Sequence, residues 1–172
     1  QITAIGYKAL WLGEGHANTA VGFEAMGNGA ASGGYNTAVG RDCMQALSTG
    51  DSNSAFGYSA GYDLTTGAHN TLIGYNAGAN VTTADYCTAL GNFAMGNAAV
   101  TGDNNVAVGR NSLYSLTSGT GNTASGGSAC AYSVTTGNYN TAVGSDALQN
   151  VTTSHRNTAI GMEAGYSVTT GA

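Results

Sequence analysis

A glycine returns every 16 to 18 residues along this chain, almost always closing a phrase near Asn-Thr-Ala-Val-Gly. It stands at Gly6, Gly22, Gly40, Gly57, Gly74, Gly91, Gly109, Gly126, Gly144 and Gly161. The intervals are 16, 18, 17, 17, 17, 18, 17, 18 and 17 residues, so ten copies fill residues 1–172 as a single repeat domain. A short fixed period means a repeat architecture, in which each unit buries its apolar surface against its neighbours. It also argues against an enzyme, because a chain that repeats one phrase builds length and not a unique pocket.

The unit reads N-T-A-V-G-x-x-A-L/G-x-x-V-T-T-G-x-x, with copies such as Asn36-Thr37-Ala38-Val39-Gly40 and Asn140-Thr141-Ala142-Val143-Gly144. Three residues after the glycine comes a small residue: Ala9, Ala25, Cys43, Ala60, Ala77, Ala94, Ser112, Ala129, Ala147, Ala164. Thr, Val and Ile favour strands, Gly and Asn favour turns, and the apolar pattern has period two. Seventeen residues are too few for a helical pair, which needs roughly 33. The unit therefore predicts one coil of a β-solenoid, a flattened β-roll with two short strands and two turns. About ten such coils of 17–18 residues, stacked ~4.8 Å apart, give a rod roughly 48 Å long.

Stacking turns each repeat position into a ladder. Asn18, Asn36, Asn53, Asn70, Asn105, Asn122, Asn140 and Asn157 form one, with Ile2 and Cys87 in the remaining coils. Stacked Asn amides bond along the axis in cross-β arrays. An Ala column implies a site with room for a methyl only, and Leu72 breaks it. Thr and Val share one face of the strand, Ala and Gly the other. One parity fills the roll. The other leaves a continuous stripe, such as Val21, Val39, Phe56, Ile73, Leu90, Val108, Val143 and Ile160, which calls for a covering partner.

The phrase N-T-A-[VI]-G-x-x-A resembles the repeat of trimeric autotransporter adhesin heads, the YadA-like β-roll. With Thr-Thr-Gly closing the coil, it also resembles repeats of bacteriophage tail fibres. The resemblance covers essentially the whole chain, although the adhesin coils are shorter. It implies a parallel homotrimer. The stripe supports the same assembly on physical grounds.

Composition excludes several classes. Charged residues are 8% of the chain, against about a quarter in ordinary domains. The net charge is −5, with Lys8, Arg41, Arg110 and Arg156 the basic residues, so no basic stripe exists for nucleic acid. No run of about 18 apolar residues suggests a membrane span. Pro is absent, as suits strands that use every N–H. Both ends fall within a coil, which reads as a segment of a longer fibrous protein. Cys43, Cys87 and Cys130 fall in three different columns as the repeats align, and read as free thiols replacing small residues.

No catalytic constellation emerges. His16, His69 and His155 lie in coils one, four and nine, too far apart to share a metal or substrate. Neither a phosphate loop nor a calcium-binding nonapeptide is present, and no cofactor is expected. Ten tyrosines decorate the turns, and Tyr58 and Tyr75, in one column of adjacent coils, are candidate contacts for a glycan. A Thr rank of the kind seen on ice-binding solenoids is a weaker candidate. The expected role is mechanical: a trimeric tail-fibre shaft on a virion, projecting a tip that binds a host glycan or protein receptor. A cell-surface trimeric adhesin head or an extracellular self-assembling filament is the alternative.

Overall fold

A computed structural model describes residues 1–169. Each coil contributes one strand built on its Thr-Ala-Val phrase: β1 (Thr3–Ile5), β2 (Thr19–Val21), β3 (Thr37–Val39), β4 (Ser54–Phe56) and β5 (Thr71–Ile73). The series continues with β6 (Thr88–Leu90), β7 (Val106–Arg110), β8 (Thr123–Ser128), β9 (Thr141–Val143) and β10 (Thr158–Ile160). All ten pair in parallel, in chain order, as one sheet. Equivalent residues pair, as in Thr19↔Thr37, Ala20↔Ala38 and Val21↔Val39. The molecule is thus an all-β parallel solenoid whose coil length is the sequence period. Among the described residues no helix is long and apolar enough to cross a membrane.

Among the described residues, the second strand expected in each coil does not form. The run that ends in Thr-Thr-Gly makes there a single isolated bridge, Val81↔Val100. Its N–H groups converge instead of alternating: Thr65 O accepts from Ser48 N (2.9 Å), Thr49 N (3.2 Å) and Gly50 N (3.3 Å). The stretch before it bends because the second and fourth residues after the repeat glycine are left-handed. Asp42 (φ 56°) and Met44 (φ 47°) illustrate the pattern. Left-handed residues every second position cannot extend as a strand. Coil-to-coil hydrogen bonds still satisfy this backbone, as in Asp42 N→Phe23 O (2.9 Å) and Met44 N→Ala60 O (2.9 Å).

The structure settles which strand parity points inward. Ala20, Ala38, Ala55, Ala89, Ala107, Ala124 and Ala142 are fully buried, so the alanine face lines the roll. Opposite them, the fourth residue after the glycine fills the interior with Met26, Met44, Met95, Leu113 and Leu148. Leu47, Leu64, Val81, Val100, Leu116, Val134 and Val151 close the far side. Leu72 fits the alanine column because Gly61 and Gly78 replace the Met or Leu of the facing position. A Cβ on Gly78 would lie 2.6 Å from Leu72 Cδ2, and one on Gly61 would lie 2.8 Å from Leu72 Cδ1. One large residue and two glycines conserve the volume that an alanine and two large residues fill elsewhere.

The repeat glycines turn the chain off the sheet with φ between 117° and 141°. Gly126 departs from this pattern and is not at positive φ. Coil eight carries an extra residue there, and the register between β7 and β8 shifts so that Arg110 faces Ser128. The downstream columns slide by one residue. Cys130, not Ala129, therefore occupies the small-residue column: its Sγ lies 3.3 Å from Ala142 O, just as Cys43 Sγ lies 3.4 Å from Ala55 O. Cys43 and Cys130 thus share a column, contrary to the alignment by repeat glycine, while Cys87 stands in the Asn column.

That column, Cys87 included, is buried from Asn18 through Asn140, and Asn157 is half-buried. Asn53 shows the pattern: its Nδ2 donates to Asn36 Oδ1 (3.0 Å) and Gly67 O (2.9 Å). Its Oδ1 accepts from Asn70 N (2.9 Å) and Asn70 Nδ2 (3.0 Å). Two donors and two lone pairs are all used, the full capacity of the amide. Cys87 interrupts the ladder, but its N–H still donates to Asn70 Oδ1 (2.8 Å). Asn70→Ala strands the buried Cys87 N–H and Ala84 O, and is expected to cost about 1–3 kcal/mol without blocking assembly. Denaturant melts of the variant check this; wild-type stability contradicts it.

Candidate functional surfaces

With alanine inward, the Thr and Val positions of every strand face out. Phe56 (41% exposed), Ile73 (37%), Leu90 (43%), Val143 (38%) and Ile160 (72%) stand on this face, with Val21, Val39 and Val108 half-buried beside them. Ser125 interrupts the apolar rank in coil eight. Next to it runs the rank Thr19, Thr37, Ser54, Thr71, Thr88, Val106, Thr123 and Thr141. Its hydroxyls make no hydrogen bond within the described chain. The face is therefore a flat ladder of free hydroxyls beside a ladder of apolar side chains.

A second surface runs along the edge that follows the repeat glycines. Tyr7 stacks on Phe23, with centroids 5.0 Å apart. The Arg41 guanidinium lies 5.2 Å from the Phe23 ring and 5.9 Å from the Tyr58 ring. Tyr58 stacks on Tyr75 at 5.2 Å and 11°. Phe93 meets Tyr75 edge-on at 5.5 Å, Tyr114 follows at 6.3 Å, and Tyr132 stacks on Tyr114 at 4.9 Å. The series joins coils one to eight, with Arg41 bridging Phe23 and Tyr58 and each ring pair worth about 0.5–1.5 kcal/mol. The faces of Tyr58 and Tyr75 are thus turned on each other and on Arg41, so neither is an open platform for a sugar ring. The first members, at the position after the glycine, are visible once the repeats are aligned. Phe93, Tyr114 and Tyr132 sit at other repeat positions, and only the fold brings them into line.

Beside this ladder lies a groove of about 460 Å³ lined by Asp42, Tyr58, Ser59, Tyr62, Tyr75, Asn76, Ala79, Asn80 and Gly96. Asp42 is held by Arg41 Nε (3.1 Å) and by Gln45 Nε2 (3.4 Å), which also donates to Glu24 Oε2 (2.9 Å). Asn80 Nδ2 donates to Gly96 O (2.8 Å).

The opposite edge, just before the Asn ladder, carries the histidines. His16 meets Tyr35 edge-on at 5.1 Å, and His69 stacks on Tyr86 at 4.9 Å. His155 Nδ1 accepts from Asn138 N (2.9 Å). Asp51 and Asp85 cap the preceding coil in the same way, accepting from Gly34 N (2.6 Å) and Ala68 N (2.7 Å). His155, Asp51 and Asp85 thus act as turn caps along the axis, whereas His16 and His69 pack on tyrosine rings. No group of three His, Cys, Asp or Glu among the described residues is arranged to hold a metal.

All three thiols are free and buried. Burial pushes Cys43 up to about 12 and Cys130 up to about 11, and it raises Cys87 as well. Thiols held this far from the thiolate form are poor nucleophiles.

Compared with known protein families, with curated proteins and with solved structures, the chain matches none.

Proposed function

We propose that this chain is a mechanical segment of a fibrous appendage, a stiff parallel homotrimer joined through the outward Thr–Val faces. The observation that carries the reading is that face, whose apolar rank continues from coil to coil except at Ser125. Such an apolar rank along the rod calls for a covering partner, and the free hydroxyls of the face supply hydrogen bonds for a seam. Parallel chains related by a three-fold axis bring identical faces to a common centre. The low charge of the chain offers little repulsion to that packing. Stiffness follows from hydrogen bonds that run along the axis around the whole coil.

The resemblance of the repeat makes a tail-fibre shaft on a virion the favoured setting, with a cell-surface adhesin head next. Both use such a rod to carry a binding part away from its anchor.

The test is the native mass by sedimentation. The expected particle is three chains of 17.0 kDa. Charged substitutions on the face, Val39→Asp with Ile73→Asp, are expected to release folded monomers. A wild-type monomer at high concentration overturns the reading and favours a different use of the hydroxyl-bearing face, ice binding included.

A further inference from the structure

The groove beside the aromatic ladder contains no side chain from the outer face of any strand, so its chemistry is separate from the proposed seam. It runs along the rod from Asp42 in coil three to Gly96 in coil six, about three coil spacings or ~14 Å. Three kinds of group meet in it. Tyr62 is exposed, and among the described residues no other ring or cation lies against it. Among the described residues, the largely buried Ser59 hydroxyl and the Asn76 side-chain amide have no hydrogen-bond partner, and Asn80 has committed its Nδ2 but not its Oδ1. Tyr58 and Tyr75, stacked on each other, also line it.

We propose that this groove binds a neutral oligosaccharide lying along the rod axis. A sugar chain alternates apolar C–H faces with hydroxyls that donate and accept. Tyr62 offers a ring for the C–H face. Asn76, Asn80 and Ser59 offer planar amide and hydroxyl partners for the rest. The volume lies within the usual range for a small-ligand site.

Charge and backbone exclude the competing classes. No cation lines the groove, Asp42 does, and the chain carries a net charge of −5, so the local field disfavours an anionic glycan or a nucleic acid. A peptide added as a strand needs a free backbone edge, whereas the N–H groups here are spent on neighbouring coils. Ser59 N donates to Arg41 O (2.9 Å) and Asn76 N to Tyr58 O (3.0 Å).

The test titrates maltohexaose, cellohexaose and N-acetylchitohexaose into the native protein, with binding read by backbone chemical-shift changes. At least one sugar is expected to bind, with shifts confined to the stretch between Asp42 and Gly96. Tyr62→Ala and Asn76→Ala are each expected to weaken it tenfold or more, while Tyr139→Ala on the opposite edge leaves it unchanged. Alanine is tolerated at the left-handed Asn76, since Ala129 and Ala131 adopt that conformation elsewhere in the chain. Three results overturn the proposal: no binding by any of the three sugars, binding unaffected by Tyr62→Ala, or tighter binding of an oligogalacturonate. Each is readable whether the protein is a monomer or a trimer.

Discussion

Gly74→Val is expected to lose about 3 kcal/mol or more of stability, from two separate causes. The residue sits at φ 132°, where L side chains are strained and a β-branched one is worst placed; such strain costs about 1–3 kcal/mol. In addition, its Cβ would stand 2.8 Å from the Gly91 carbonyl oxygen and 2.9 Å from its carbon, both backbone atoms of the next coil. Backbone cannot rotate aside, so the coils must separate and forfeit the bond from Gly91 N to Ile73 O (2.9 Å). The control is Gly127→Ala: an added Cβ there meets nothing within 4 Å, and the residue is not at positive φ. It is expected to be nearly neutral. Denaturant melts at one fixed protein concentration compare the two, and equal stability of Gly74→Val with wild type refutes the argument.

Leu72→Ala is expected to cost about 2–5 kcal/mol, the usual range for truncating a buried leucine that leaves a cavity. Here the surroundings are unusually unable to fill the void, because the two positions that face it are Gly61 and Gly78. The same geometry predicts a rescue. Adding Gly61→Met and Gly78→Met to Leu72→Ala rebuilds the arrangement that Met26 and Met44 make in coils two and three. Left-handed Met is already accommodated there, with Met26 at φ 49° and Met44 at φ 47°. The triple variant is expected to recover at least half of the loss. Either Met substitution alone, with Leu72 retained, overpacks the core and destabilises by about 1–3 kcal/mol. Additive effects in this set would show that the residues do not share one space.

The repeat was legible because its chemistry is local. A glycine at fixed intervals, an Asn that can bond its own copy one coil away, and a Thr-Ala-Val phrase with strand propensity together specify stacking before any contact is known. The second strand was misread for a reason that is also local but hidden. At the fourth position after the glycine, Leu10, Met26, Met44 and Leu113 adopt left-handed backbones, which residues of these types seldom prefer, so no propensity announces the bend there. The stacked coils impose it through hydrogen bonds that only the assembled solenoid supplies. Column assignments differ where one inserted residue, at Gly126–Gly127, shifts the rest of coil eight and places Cys130 in the column of Cys43, before the register returns at β9.

Surfaces divide along the same line. The stripe from Val21 to Ile160 could be named from alternation, but its direction could not. Both parities of Thr-Ala-Val-Gly are plausible interiors, and the choice falls to volume: Met26, Met44 and Met95 occupy the roll so fully that only a methyl fits opposite. Likewise the Tyr58–Tyr75 column was visible, while the closing of those rings on each other, and the groove with an unstacked Tyr62, were not. Periodicity acts between neighbours in sequence and between equivalent positions one coil apart, so the chain alone dictated the solenoid, its step and its axial ladders. Which face is dry, which rings are spent and which polar groups are left open depend on side chains from non-equivalent positions competing for one space, and that competition is resolved only in three dimensions.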